Sequence, residues 1–156
     1  MPVLLDPVIR SVSLRCSVED AFRAWTTQIH LWWPVGRISA SGEGAARVII
    51  EGRVGGRIFE RTNAGVEVVW GHILVWEPPR RLVHSWFLGT EPDKSTEVEV
   101  RFTPEEDGTT TVEVNHGKWQ DADEAVAEAQ HACVAAHDGW SGILADYVTA
   151  AEATRT

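Results

Sequence analysis

Between Val66 and Phe87 the chain carries two apolar runs, Val66-Glu67-Val68-Val69-Trp70-Gly71-His72-Ile73-Leu74-Val75-Trp76 and Leu82-Val83-His84-Ser85-Trp86-Phe87, separated by the corner Glu77-Pro78-Pro79-Arg80-Arg81. β-Branched and aromatic side chains fill both runs, and the corner holds two prolines, which cannot donate to a ladder. The pattern predicts two strands with a sharp reversal, in the middle of a sheet. With Glu67 and Ser85 facing solvent, a period of two puts Val68, Trp70, His72, Leu74 and Trp76 on one face of the first strand. The corresponding face of the second strand takes Leu82, His84 and Trp86. A face with three tryptophans has to be covered.

The rest of the chain supplies the cover. Val8–Leu14 alternates as a first strand. Ser17 is a fitting N-cap with Glu19 and Asp20 in the first turn, and Ala21, Phe22 and Trp25 follow at helical spacing. A second short helical turn carries Ile29, Trp32 and Trp33 before Pro34 and Gly36 stop it, and Ser39 to Gly44 reads as a loop. From Arg47 the period is two for about 70 residues. Arg47–Arg53 and Arg57–Thr62 are predicted strands, Asn63-Ala64-Gly65 is a hairpin turn, and after a loop from Gly89 to Lys94 come Val98, Val100 and Phe102, then Val112, Val114 and His116, all inward. The last part changes period. Asp121-Ala122-Asp123-Glu124 resembles a capping box, and Val126, Ala129, Ala132 and Cys133 give a weak apolar face. After His137-Asp138-Gly139, the residues Trp140, Ile143, Leu144, Tyr147 and Val148 form one continuous stripe. The expectation is an α+β fold, a curved antiparallel sheet of about seven strands wrapped around a long C-terminal helix, with two short helices after the first strand, in one domain over 1–156.

The order of elements resembles the helix-grip fold of the START-like (SRPBCC) superfamily. Ala21-Phe22-Arg23-Ala24-Trp25-Thr26, Arg53-Val54-Gly55-Gly56-Arg57, Trp70-Gly71, Trp76-Glu77-Pro78-Pro79-Arg80-Arg81-Leu82-Val83, Gly108-Thr109-Thr110 and Gly139-Trp140 are similar to motifs of the family named after the activator of heat-shock protein 90 ATPase. The resemblance spans about Val8 to Tyr147 and implies a protein with a hydrophobic cavity. The chain departs from the family pattern at His84, where an aromatic residue is usual.

Composition narrows the partners. A net charge of −9 argues against a nucleic-acid backbone and against an anionic membrane surface, since either would favour a basic patch. Cys16 and Cys133 lack metal-type spacing, and the N-terminus has no signal-length apolar run, which together suggest a reducing, cytoplasmic setting. No run approaches the roughly 20 apolar residues of a membrane span. Eight tryptophans are the compositional outlier and favour a wide, aromatic-lined interior. Strand parity aims Glu60, His84, His116 and, if Gly71 does not bulge, His72 into that interior. A buried carboxyl there requires donors, which histidines or indole N–H groups can supply.

The expected activity is binding of a small hydrophobic molecule, with Glu60, Trp70, His72, His84, Trp86, His116, Trp119 and Trp140 as ligand-binding residues. No catalytic residue, metal ligand or cofactor is assigned. Two alternatives stay open: a polyketide cyclase or aromatase-like enzyme using Glu60 and His116, and a co-chaperone-like interaction module acting on a heat-shock protein ATPase. A homodimer is compatible with all three.

Overall fold

The computed structural model describes residues 5–36, 38–39, 41–88, 92–119, 122 and 124–153. Seven antiparallel strands make one sheet. They are β1 (Val8–Leu14), β2 (Ala45–Ile50), β3 (Arg57–Thr62), β4 (Glu67–Glu77), β5 (Arg81–Trp86), β6 (Thr96–Pro104) and β7 (Thr110–Gly117). Their spatial order is β1-β7-β6-β5-β4-β3-β2, so the last six strands form a meander that β1 closes beside β7. Helix α1 (Val18–Trp25) and a short 3₁₀ turn (Ile29–Leu31) follow β1, and helices α2 (Glu124–Ala135) and α3 (Trp140–Ala153) end the fold.

The elements form for local reasons. Ser17 caps α1 by accepting the Asp20 N–H at 3.1 Å, and the helix buries Ala21, Phe22, Ala24 and Trp25 while Arg23 stays outside. The C-terminal stripe is realised, with Trp140, Ile143, Leu144, Tyr147 and Ala151 buried on α3. Two hydrogen bonds fasten that helix inside the sheet's curve. Tyr147 donates to the Ala21 carbonyl of α1 at 2.7 Å, and the Trp140 indole donates to His116 of β7 at 3.0 Å. Burial lifts the Tyr147 phenol well above its ordinary pKa, so it stays a donor. Gly139 allows the tight corner between α2 and α3, because a Cβ there would sit 2.3 Å from the Val134 carbonyl oxygen.

Three expectations need correction. His72 and Leu74 do not share the inner face of β4; both are exposed, Leu74 by 46%. The cause is two bulges. Trp70 is an extra residue between the pairs Phe59↔Val69 and Ile58↔Gly71, and Leu74 is extra between Ile73↔His84 and Val75↔Val83, so parity is inverted between them. Arg57, which faces out, pairs with His72 and fixes that outward side. Gly71 is required at the first bulge, since an added Cβ would lie 1.8 Å from the Ser85 carbonyl oxygen.

Helix α2 is also rotated from the expected face. Its buried residues are Ala127 and Val134, while Ala129, Ala132 and Cys133 are exposed and Val126 is half-buried. Small alanines give a weak periodic signal, and the packed side is decided by Val134 and by Gln130, which donates to the Leu88 carbonyl at 2.8 Å. Finally, β2 ends at Ile50, because the Arg53 N–H turns back to the Glu51 carbonyl. Of the expected capping box, Asp121 and Asp123 lie outside the described residues.

Candidate functional site

The inner face of the sheet and α3 meet in a cluster of aromatic rings centred on Trp86. Its ring lies 6.0 Å from Trp70, 6.3 Å from Trp33, 5.7 Å from Trp140 and 5.4 Å from His116. Trp33, from the segment after the 3₁₀ turn, covers the group, touching Trp70 at 5.5 Å and Trp140 at 6.0 Å. All four indoles are buried. Tilted and edge-to-face arrangements of this kind suit ring quadrupoles.

Polar groups are set into this apolar wall. Glu60 on β3 is fully buried; its carboxyl accepts the Trp70 indole N–H at 2.7 Å and the Ser41 backbone N–H at 2.9 Å. The Ser41 bond ties the segment after Trp33 to the sheet. Within that segment the Trp33 indole donates to the Ile38 carbonyl at 2.8 Å, so ring and segment are held together.

The two interior histidines hold opposite tautomers. At His116 the Trp140 indole can only donate, so Nδ1 accepts and Nε2 carries the proton, which goes to Thr96 Oγ1 at 2.7 Å. Thr96 in turn donates to the Trp86 carbonyl at 3.3 Å. At His84 the Ser85 carbonyl can only accept, so Nδ1 carries the proton at 2.9 Å and Nε2 is left as an acceptor. Burial disfavours the imidazolium and lowers His84 to about 4 and His116 to about 3, so both are neutral at physiological pH. His116 is pushed further by the positive charge that would develop on His84 and His131.

Of the sequence-predicted residues, Trp70, Trp86, His116 and Trp140 share the cluster, and Glu60 and His84 border it through Trp70 and Trp86. Trp119 is buried and stacks on His116 at 4.3 Å, its indole donating to the His116 carbonyl at 2.9 Å. His72 is outside, its ring beside Phe87 at 5.8 Å. Three participants were not anticipated as site residues. Trp33 had a visible signal in its helical spacing with Ile29, Thr96 had only its inward parity with Val98, and Ser41 had none, because a loop carries no period. Surface hollows lie apart from the cluster, among them one of about 410 Å³ lined by Phe22, Ile50, Gly52, Trp76, Pro78 and Pro79 and another of about 400 Å³ on the outer face around Val83, Arg81 and Glu97. Among the described residues no group of histidine, cysteine, aspartate or glutamate side chains could hold a metal ion.

A curled seven-stranded antiparallel sheet closed by a C-terminal helix, with a cluster of tryptophans turned inward, defines a START-like helix-grip protein. The chain belongs to the Activator of Hsp90 ATPase homolog 1-like protein family, whose model matches residues 15–151. A search of the curated proteins finds no match. Among solved structures, the chain is similar to "an anthrahydroquino-Gama-pyrone synthase Txn09 complexed with SUM", with 34% identity over 96% of this chain and 99% of that chain and a TM-score of 0.62. It is also similar to the self-sacrificing resistance protein CalC from Micromonospora echinospora, with 25% identity over 95% of each chain and a TM-score of 0.68. The Aha1 dimer from Colwellia psychrerythraea shares the fold at 20% identity, over 97% of this chain and all of that one, with a TM-score of 0.62. Among the described residues no helix is long and apolar enough to cross a membrane.

Proposed function

We propose that this protein binds a small, planar, hydrophobic aromatic molecule between the sheet and α3, at the face formed by Trp70, Trp86 and Trp140. The observation that carries this reading is the place of Trp33. Its indole packs at a tilt against three others, and it sits on a segment fastened to the sheet through the Ser41–Glu60 hydrogen bond. Letting that segment go exposes a ready-made aromatic surface, and an incoming ring replaces the contacts that Trp33 gives up. The relative at 34% identity, an anthrahydroquino-γ-pyrone synthase, supports a fused-ring aromatic molecule as the ligand class.

That relative also favours a second reading, an enzyme of polyketide-cyclase type acting in the same place. In it Glu60 and His116 would have to exchange present partners for substrate, since both His116 nitrogens are engaged, by Thr96 and by Trp140.

The test is a thermal-shift series with a hydroxyanthraquinone. A ligand of the folded state at 100 times its Kd stabilises by about 2.7 kcal/mol, which raises the melting temperature by several degrees. Saturable stabilisation at one molecule per chain supports the reading. Binding confined to temperatures near the unfolding transition would show a filled core with no site. Conversion of the added compound, seen by mass spectrometry, would select the enzyme.

A further inference from the structure

Around the ring cluster most polar hydrogens and their acceptors are matched: Trp70 with Glu60, Trp140 with His116, His116 with Thr96 and Trp33 with the Ile38 carbonyl. Two neighbouring groups on β5 stand outside this network. His84 is 1% exposed, and its Nδ1 proton is used by the Ser85 carbonyl, next to it in the chain. That anchors the near side of the ring to the backbone and leaves Nε2, at the far corner, as a bare acceptor that meets no donor among the described residues. Trp86 is 4% exposed, and its indole N–H meets no acceptor among the described residues. The two rings lie near-parallel, 6.3 Å apart with 29° between their planes.

A donor and an acceptor buried on neighbouring rings without a partner among the described residues are a cost to the fold that apolar residues at the same positions would not incur. Such a cost is expected where a second molecule completes the pairing. We propose that His84 Nε2 and the Trp86 indole N–H form the polar end of the ligand site and together bind one hydroxyl group. A hydroxyl is the simplest group that can donate to His84 and accept from Trp86 at once. This deepens the proposed function and rests on it. It narrows the ligand to a neutral phenol-type aromatic and disfavours a carboxylate, whose lone pairs would face the lone pair of a neutral imidazole.

The experiment compares 2-naphthol with 2-methoxynaphthalene, which share a planar two-ring body but of which only the first can donate. Tryptophan fluorescence titrations are made with the wild type and with His84→Phe. The wild type is expected to bind 2-naphthol about 10-fold more tightly, the usual worth of matching a buried hydrogen-bonding group. In His84→Phe the preference falls to within about 2-fold. Equal affinity of the wild type for both compounds, or an undiminished preference in the variant, overturns the subsite and leaves the aromatic site standing. If the wild type binds neither compound, the proposed function fails and the subsite with it. Should His84→Phe not fold, the wild type alone decides. The His84 Nε2 nitrogen resonance moves on addition of 2-naphthol and stays in place with 2-methoxynaphthalene, and a resonance that responds identically to both refutes the assignment.

Discussion

Lowering the pH from 7 to 5 is expected to destabilise the protein through His84 and His116. Both imidazoles are held below their ordinary value of about 6.5, at about 4 and about 3, and both are buried. The folded-state values are depressed, so in this range the unfolded chain binds protons that the native state refuses, and stability falls as pH falls through 6.5 toward 4. At pH 5 each histidine has lost about 1.5 pH units' worth, or about 2 kcal/mol, making about 4 kcal/mol for the pair. The carboxyl groups with lowered values, Glu51, Glu67, Glu99 and Asp107, act in a lower window. Their stabilisation is complete above the unfolded value of roughly 4 and is lost only as pH drops further. The net charge of −9 works in the opposite direction, since protonation relieves self-repulsion, so the observed loss lies at or below the sum. Urea unfolding at pH 7, 6 and 5 measures it. In His84→Phe the loss between pH 7 and 5 should fall to about 2 kcal/mol. A wild-type stability constant within about 0.5 kcal/mol across this range would refute the claim that both rings are neutral and dry in the folded state.

Three substitutions probe the packing around the site. Ile143→Ala on α3 removes a side chain that is 1% exposed and should cost about 2 to 4 kcal/mol in denaturant unfolding, with a change under about 0.5 kcal/mol showing that α3 is not the covering helix. Gly71→Ala drives a Cβ to within 1.8 Å of the Ser85 carbonyl and should cost more than about 3 kcal/mol, measured the same way; tolerance of alanine would place the bulge elsewhere. Glu60→Gln keeps shape but turns an amide N–H toward either the Trp70 indole or the Ser41 N–H. It should cost about 1 to 3 kcal/mol and speed hydrogen exchange at Ser41, and unchanged exchange there would show that Glu60 does not hold the segment.

Much of this was legible from alternation. β1, β3 and β7 contain no bulge over the residues that matter, so a period of two correctly turned Glu60 and His116 inward, and in β5 it did the same for His84 and Trp86. The stripe from Trp140 to Tyr147 was equally readable, because large apolar residues at helical spacing have few other uses. β4 was not. Its two bulges carry His72 and Leu74 outward, and only Gly71 hints at them, through a contact across strands that a linear pattern does not contain. The face of α2 was misplaced because alanine contributes too little apolar contrast to fix a rotation. The Ser41–Glu60 bond and the opposite tautomers of His84 and His116 depend on three-dimensional donor and acceptor pairing, which residue order does not encode.

The most direct measurement of the central claim is a nitrogen-15 NMR titration that follows the indole N–H signals as a hydroxyanthraquinone is added. The signals of Trp33, Trp70, Trp86 and Trp140 should move together and saturate at one ligand per chain, with Trp33 shifting as its ring leaves those of Trp70 and Trp140. Shifts confined to Trp76, which lines the surface hollow beside Pro78 and Pro79, would put the ligand outside the cluster and contradict the account.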